Sequence, residues 1–314
     1  MEKKIAFVFP GQGSQTVGML DAFIDNLVVK STLEEASHSI GFDIGKMIQE
    51  GPKETLALTE NTQPVMLTSA IAIYRAWLSA GGSVPMMLAG HSLGEYTAYV
   101  AAGAMGFHDA VPLVKFRAKA MQNAVPVGAG GMAAIVGMSD DQVRQLCLDT
   151  QAATGKTLDP VNFNAPSQVV IAGHKEAVDY ACAHAKPAGA KLAVPLDVSA
   201  PFHSSLLRPA AEELSIYLKN VSISSPGIPV INNVDVTVIN DPLGIKDALI
   251  RQAYSPVRWV ETIRLMAQHG VTHIIECGPG KVLAGMVKRI DGNIKIMNIY
   301  DPTSISEVLE GLNQ

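Results

Sequence analysis

The chain has 314 residues, of which 48% are hydrophobic and 17% are charged, and its 24 basic and 29 acidic residues give a net charge of −5. This composition excludes a disordered or collagen-like chain. No run of four basic residues occurs, so we do not expect nucleic acid as a partner. The length suggests one large domain or two unequal ones.

The first predicted element is a buried strand at residues 5–9 that ends in a glycine turn, and a second strand follows at residues 84–89. Helical spacing follows each of them, which is typical of a parallel α/β sheet. From about residue 126 the order changes to strand 131–137, helix 140–151, strands 158–162 and 167–173, helix 175–187 and strand 190–196. This β-α-β-β-α-β order is typical of a ferredoxin-like domain.

After residue 203 the chain returns to long helices and to an apolar strand around Ile274 and Ile275. We therefore predict an α/β fold in which a small ferredoxin-like domain, residues 127–198, is inserted into a large parallel-sheet domain. The large domain comprises residues 1–126 and 199–314, and the Gly-rich residues 127–131 form the entry linker.

The cysteines indicate the cellular compartment. Cys147, Cys182 and Cys277 lie far apart, without a C-x-x-C pair or the histidine spacing of a zinc site. The apolar residues 5–9 are too few for a signal-peptide core, and the uncharged residues 98–107 are too few to cross a bilayer. We therefore expect a cytoplasmic protein with no disulfide framework, no metal site and no membrane partner.

A candidate nucleophile lies in Gly90-His91-Ser92-Leu93-Gly94, between the second strand and a helical stretch. In a nucleophile elbow, flanking glycines permit a tight strand-to-helix turn that exposes the serine oxygen at the edge of the sheet. The alternative is a glycine turn with an inert serine. The position of the motif after a strand favours the elbow.

A catalytic serine needs a base, and His203 is the candidate among eight histidines. It follows Pro201-Phe202 where the inserted domain rejoins the large one and where we expect a helix to begin. Its side chain would then share the inward face of that helix, formed by Leu207, Ala210, Ala211, Leu214 and Leu218. The alternative is a histidine that only caps or packs.

The loop of residues 9–15, Phe-Pro-Gly-Gln-Gly-Ser-Gln, follows the first strand. It matches neither the dinucleotide-binding G-x-G-x-x-G motif, since position 16 is Thr, nor the phosphate-binding P-loop. Such a loop can aim a backbone N–H at a developing oxyanion, with a second donor from Leu93. An ordinary strand-to-helix turn remains the alternative.

Arg117 lies in the middle of the apolar face of a predicted helix at residues 109–123, with Lys115, Lys119 and Gln122 on the opposite face. A guanidinium on an inward face must find an anion, because burial of an unpaired charge is costly. That anion is either a carboxylate of this protein, in a structural ion pair, or a substrate carboxylate held by two parallel hydrogen bonds.

Together these residues resemble the malonyl-CoA:acyl carrier protein transacylase family over nearly the whole chain. The resemblance rests on the motifs Phe9-Pro10-Gly11-Gln12-Gly13-Ser14-Gln15, Gly90-His91-Ser92-Leu93-Gly94-Glu95-Tyr96, Arg117, Asn162-Phe163-Asn164-Ala165-Pro166, Pro201-Phe202-His203 and Gly278-Pro279-Gly280-Lys281. It implies a hydrolase-like α/β domain that carries a ferredoxin-like insertion, in agreement with the predicted element order.

The resemblance also implies an activity: malonyl transfer from malonyl-CoA to the phosphopantetheine thiol of acyl carrier protein in fatty acid biosynthesis, without a cofactor. By resemblance, Ser92 is the acylated nucleophile, His203 is its base, and no acidic residue completes a triad. The other implied roles are a carboxylate clamp at Arg117, oxyanion donors at Gln12 and Leu93, an orienting residue at Gln252, and further substrate-binding residues at His91, Met121, Asn162 and Phe202.

Two alternatives share part of this pattern. A hydrolase would use Ser92 and His203 without needing Arg117, and a silent carrier-binding scaffold would keep the surface and lose the catalytic pair. The carrier is expected to be acidic, so a transacylase of net charge −5 must attract it locally. The candidates for this basic rim are Lys115, Lys119, Lys281, Lys288 and Arg289.

Overall fold

A five-stranded sheet forms the centre of the large unit in the computed structural model, which describes residues 3–313. Its strands are β1 (Ile5–Phe9), β2 (Met87–Gly90), β7 (Val230–Ile231), β8 (His273–Cys277) and β9 (Lys295–Ile299). The strand order is β7-β2-β1-β8-β9, and every pair of neighbours is parallel.

The central strand β1 shows why helices cover both faces of this sheet. Phe7 and Phe9 point into one apolar cluster, and Ala6 and Val8 point into another, because successive side chains of a strand alternate between faces. The helices of this unit are α1 (Leu27–Ile40), α2 (Ile44–Glu50), α3 (Lys53–Ala57), α4 (Thr59–Ser79), α5 (Leu93–Ala101), α6 (Phe107–Asn123), α9 (Arg208–Leu218), α10 (Pro242–Gln252), α11 (Trp259–Gln268), α12 (Val282–Ile290) and α13 (Pro302–Asn313).

A second sheet of four antiparallel strands forms the small unit, in the order β4-β5-β3-β6. The first and third strands of the segment are neighbours, which is the split β-α-β arrangement of ferredoxin-like domains. Two helices pack against this sheet and share its apolar cluster. The elements are β3 (Gly130–Val136), α7 (Asp140–Thr154), β4 (Leu158–Ala165), β5 (Gln168–His174), α8 (Lys175–Ala185) and β6 (Leu192–Pro195).

The predicted fold class is confirmed: a parallel α/β unit carries a ferredoxin-like insertion. The strand predicted at residues 84–89 begins later, at Met87, and the helix predicted from residue 109 begins earlier, at Phe107. We propose that the domains divide at 126/127 and 198/199, because all four strands of the small sheet lie between these positions. No helix within residues 3–313 is both long and apolar enough to span a bilayer.

Candidate active site

Ser92 lies in a sharp turn between β2 and α5, with φ 53° and ψ −112°. A positive φ is strained for a serine and is typical of a nucleophile elbow. The flanking glycines are sterically required. A Cβ added to Gly90 would lie 1.8 Å from the carbonyl carbon of Gly94, and one added to Gly94 would lie 2.1 Å from the carbonyl oxygen of Phe9.

His203 meets this serine: its Nε2 lies 2.7 Å from Ser92 Oγ. Its Nδ1 lies 2.8 Å from the main-chain oxygen of Gln252. A carbonyl only accepts, so Nδ1 carries the proton and Nε2 is left free to accept the serine proton. The ring is buried, and burial together with the nearby Arg117 cation lowers the pKa of His203 to about 3. A neutral imidazole is the form that a general base requires.

The reason given from the sequence for the position of His203 was wrong, because no helix begins there. The residue has φ 65° and precedes a 3₁₀ turn, Ser205–Leu207, and then α9. The predicted apolar face of the following segment is buried. His203 is aimed at Ser92 by its own left-handed backbone and not by helical periodicity.

Arg117 is 1% exposed and lies beside Ser92. Its guanidinium donates to Gln63 Oε1 at 2.7 Å, to Gln252 Oε1 at 2.8 Å and to Ser92 Oγ at 3.3 Å. No aspartate or glutamate of residues 3–313 forms an ion pair with it, and its Nε is buried without a hydrogen-bond partner. Neutral amides therefore hold a buried cation whose charge no carboxylate neutralises at contact.

Gln252 links the three residues of the site. Its main-chain carbonyl accepts from His203, its Oε1 accepts from Arg117, and its Nε2 donates to the carbonyl of Ser92 at 3.0 Å. The same Nε2 donates to Glu95 Oε2 at 2.8 Å, and burial raises the pKa of Glu95 to about 7. The contact with the histidine thus comes from the backbone of Gln252, while its side chain supports Arg117 and the elbow.

The two expected oxyanion donors, Gln12 and Leu93, line a cavity that also contains Ser92. Leu93 is the first residue of α5, and amides in a first helical turn have no partner within the helix. Gln12 follows β1, and its side-chain oxygen accepts from Thr59 at 2.8 Å. Gln12 and Ser92 line the same cavity.

A cavity of about 200 Å³ lies between the two units and brings the expected residues together. Nine of the ten expected site residues line it, and Gln252 lies behind Arg117 and Ser92: the lining set is Gln12, His91, Ser92, Leu93, Arg117, Met121, Asn162, Phe202 and His203. Apolar side chains on the strands of the small unit, Met132 and Val170, form one wall, and α12 forms another. A wider groove of about 1050 Å³ adjoins the cavity at Gln12 and Phe202.

His91 lines the cavity but is held by neighbours. Its Nε2 lies 2.7 Å from Asn164 Oδ1, and its ring packs edge-on against Trp259. Burial lowers the pKa of His91, so it contributes a neutral surface to the cavity. These contacts direct the His91 ring to Asn164 and Trp259.

Three functional residues were not identified from the sequence: Gln63 on α4, Glu95 on α5 and Asn233 after β7. All three are buried polar side chains that contact Arg117, Gln252 or the elbow. Glu95 had a detectable signal, because it is an acidic residue within a helix that is otherwise uncharged. Gln63 and Asn233 gave no such signal in the sequence, since the residues that they contact in the site lie more than fifty positions away along the chain.

Comparison with known proteins gives one consistent result. A sequence model of the acyl transferase domain family matches residues 6–295. The malonyl CoA-acyl carrier protein transacylase of Escherichia coli K12 is 50% identical over 308 residues, 98% of this chain and 99% of that protein. That of Bacillus subtilis 168 is 43% identical over 312 residues, 99% of this chain and 98% of that protein.

Solved structures agree with these relatives. The acyl-carrier-protein S-malonyltransferase of Burkholderia pseudomallei superposes with a TM-score of 0.96 at 62% identity and covers 98% of this chain and 99% of its own. A malonyl-transacylase solved in complex with a type II PKS acyl-carrier protein has a TM-score of 0.96 at 44% identity. The match covers 98% of this chain and 100% of that chain.

Proposed function

The chain belongs to the acyl transferase domain family, and we propose that it transfers malonyl from malonyl-CoA to the phosphopantetheine thiol of an acyl carrier protein, through an acyl-Ser92 intermediate. The transfer supplies malonyl groups to fatty acid biosynthesis. The relatives of 43–50% identity carry the name of this activity, and a structural relative was solved with a carrier protein.

The buried guanidinium of Arg117 is the observation that carries the proposal. It lies 3.3 Å from the nucleophile oxygen and has no carboxylate partner within residues 3–313. A malonyl thioester has a free carboxylate two carbons from its reacting carbonyl, so one substrate can contact both groups. Burial of a charge without an opposite charge is costly, which favours binding of a substrate carboxylate at this position.

The reaction follows from the contacts of Ser92. His203 Nε2 takes the proton of Ser92 as Oγ bonds to the thioester carbon, and the oxyanion accepts hydrogen bonds from the Gln12 and Leu93 amides. The carbonyl then re-forms, the C–S bond breaks, and His203 returns the proton to the CoA sulfur. The carrier thiol takes the malonyl group by the reverse path, so the exchange of thioester for ester requires neither a metal nor a redox cofactor.

Water must be kept from the acyl-enzyme, because a hydrolase would use the same pair. The apolar residues Met121, Met132, Val170 and Phe202 surround the cavity, and the clamp at Arg117 fixes the acyl chain. The two functions are distinguished by their products, which are malonyl-pantetheine for a transferase and free malonate for a hydrolase. A silent scaffold would give no adduct on Ser92.

The direct test is intact-mass spectrometry of the protein after mixing with malonyl-CoA. We expect a mass increase of one malonyl group, located to the peptide that contains Ser92, and loss of that increase on addition of pantetheine. Persistence of the unmodified mass would contradict the proposal.

We also propose a reducing, cytoplasmic setting, since the three cysteines are free thiols.

The carrier is expected to dock near the end of α12. Val282 and Met286 on this helix line the cavity, and Arg289 lies three residues beyond Met286, on the same side of the helix. Lys288 and Arg289 are exposed and pair with no carboxylate within residues 3–313. By contrast, Lys119 pairs with Glu60 at 3.5 Å.

The double variant Lys288→Glu/Arg289→Glu should raise KM for carrier protein about tenfold at low salt, and less at high salt, because exposed charges are screened. Kinetics with free pantetheine should not change, since a small thiol does not reach the rim. Reversal of Lys30 and Lys219, exposed lysines on elements that do not line the cavity, is the matched control. An unchanged KM for the carrier at low salt would place docking on another surface.

Phe202 is expected to restrict the acyl pocket to malonyl. It is 6% exposed, lines the cavity beside His203 and also packs in the seam between the units. Phe202→Ser should therefore open space near the α-carbon and raise methylmalonyl transfer relative to malonyl about tenfold, because one methyl in a filled pocket contributes about 1 to 3 kcal/mol.

Competition between the two thioesters, with both acyl-enzyme masses measured together, checks this prediction. Phe202→Leu is the control, because it keeps most of the volume and should keep the wild-type ratio. A ratio unchanged in a folded Phe202→Ser protein would assign selectivity to other residues of the cavity.

A further inference from the structure

Asn233 lies in the loop after β7, is fully buried, and makes three hydrogen bonds to the segment that carries the nucleophile. Its Oδ1 accepts from the amide of Ser92 at 2.8 Å, and its Nδ2 donates to the carbonyl of Gly90 at 2.7 Å. Its own amide donates to Glu95 Oε2 at 3.0 Å. One residue thus contacts the segment before, at and after the catalytic serine.

The sheet explains why an amide side chain is needed there. β7 pairs with β2 at only two positions, Leu88 with Val230 and Ala89 with Ile231. Beyond Ala89, β2 leads into the elbow, and the pairing with the backbone of β7 ends at Ile231. The side chain of Asn233 replaces the missing backbone, because an amide offers one acceptor and a donor group, as a peptide unit does.

The contacts also divide the backbone around Ser92 between two amides. Asn233 accepts from the N–H of Ser92, which belongs to the peptide bond before this residue. Gln252 donates to the carbonyl of Ser92, which belongs to the peptide bond after it. Glu95 Oε2 accepts from both of these residues. The peptide held by Gln252 also contains the Leu93 amide, the expected oxyanion donor.

We propose that Asn233 is a positioning residue that holds the strained backbone of Ser92 so that its oxygen points at His203 and at the thioester carbon. Residues in strained backbone conformations persist only where their surroundings hold them. A displacement of about 1 Å in a reacting group lowers a rate about 10²-fold. Asn233 does not line the cavity, and the hydrogen bonds of the His203 ring go to Ser92 and Gln252, so we expect Asn233 to act through the position of Ser92.

The test compares Asn233→Ala with Asn232→Ala, which removes an equally buried neighbouring amide. Asn232 bonds within its own loop, to Thr237 and Asp235, and does not contact the elbow. The inference rests on the proposed acyl-enzyme, so the measurement is the single-turnover rate of malonyl-Ser92 formation over a range of malonyl-CoA concentrations, beside thermal unfolding.

We expect Asn233→Ala to lower the saturating acylation rate about 30- to 100-fold, while the half-saturating malonyl-CoA concentration stays within about threefold, because the Arg117 clamp is intact. Asn232→Ala should lower Tm but leave the rate within about threefold. Should Asn233→Ala fail to fold, Asn233→Asp replaces it, since it keeps the shape and the Ser92 acceptor but loses the donor to Gly90. It should still lower the rate at least about tenfold.

The outcomes separate the two proposals. Absence of an adduct on the wild-type protein would contradict the proposed function itself. An adduct that forms at the wild-type rate in the folded Asn233 variant would overturn the role of Asn233 alone. Equal losses of rate in the Asn232 and Asn233 variants would also overturn it, because the effect would then be a general loss of packing in this loop.

Discussion

Replacement of Ser92 by alanine should abolish acylation by malonyl-CoA, and replacement of His203 by alanine should slow it about 10²- to 10⁴-fold, the usual contribution of a positioned general base. The reason is the contact of 2.7 Å between Ser92 Oγ and His203 Nε2. Without the imidazole, water must accept the serine proton. Intact-mass spectrometry at timed intervals measures both effects.

The control for the histidine is His269→Ala. His269 is exposed, and its ring lies within hydrogen-bond distance of the Leu265 carbonyl of its own helix, so its loss should leave acylation unchanged. Thermal unfolding of each variant shows whether it is folded. Normal labelling of a folded Ser92→Ala protein would refute the nucleophile, and an unaltered rate in His203→Ala would refute the base.

Loss of the guanidinium in Arg117→Ala should lower malonyl transfer about 10²- to 10³-fold, because removal of one partner of a buried, hydrogen-bonded charge pair costs about 2 to 5 kcal/mol. Acetyl transfer should fall far less or rise. Burial and the nearby Arg117 cation lower the pKa of His203, and Arg117 also donates a hydrogen bond to Ser92 Oγ. The lowered pKa makes His203 a weaker base until a substrate carboxylate neutralises the cation, and the hydrogen bond occupies a lone pair of the nucleophile oxygen.

The measurement is the acylation rate with malonyl-CoA and acetyl-CoA on the same protein samples. Arg117→Lys is the matched variant: it keeps the charge but loses the two-pronged contact, so malonyl transfer should recover only in part. Equal loss with both thioesters in a folded Arg117→Ala protein would make Arg117 a structural residue. Free malonate as the main product of the variant would show that the clamp also limits hydrolysis.

The sequence by itself determined the architecture and predicted which residues are the reacting groups. Alternation and helical spacing are local patterns, so they predicted the β-α-β-β-α-β insertion and the buried face that carries Arg117. The Gly90–Gly94 motif predicted the elbow because only glycine fits both flanking positions. The roles of Gln12, Met121, Asn162 and Gln252 came from the family resemblance and not from any local pattern.

Only the tertiary structure decided how these groups are held. His203 reaches Ser92 through its left-handed backbone and the Gln252 carbonyl, which a helical face did not predict. Asn233 is joined to Ser92 across 141 positions of the chain. A hydrogen bond depends on distance and angle in space, and spacing along the chain carries no information on either once the two partners lie on different elements.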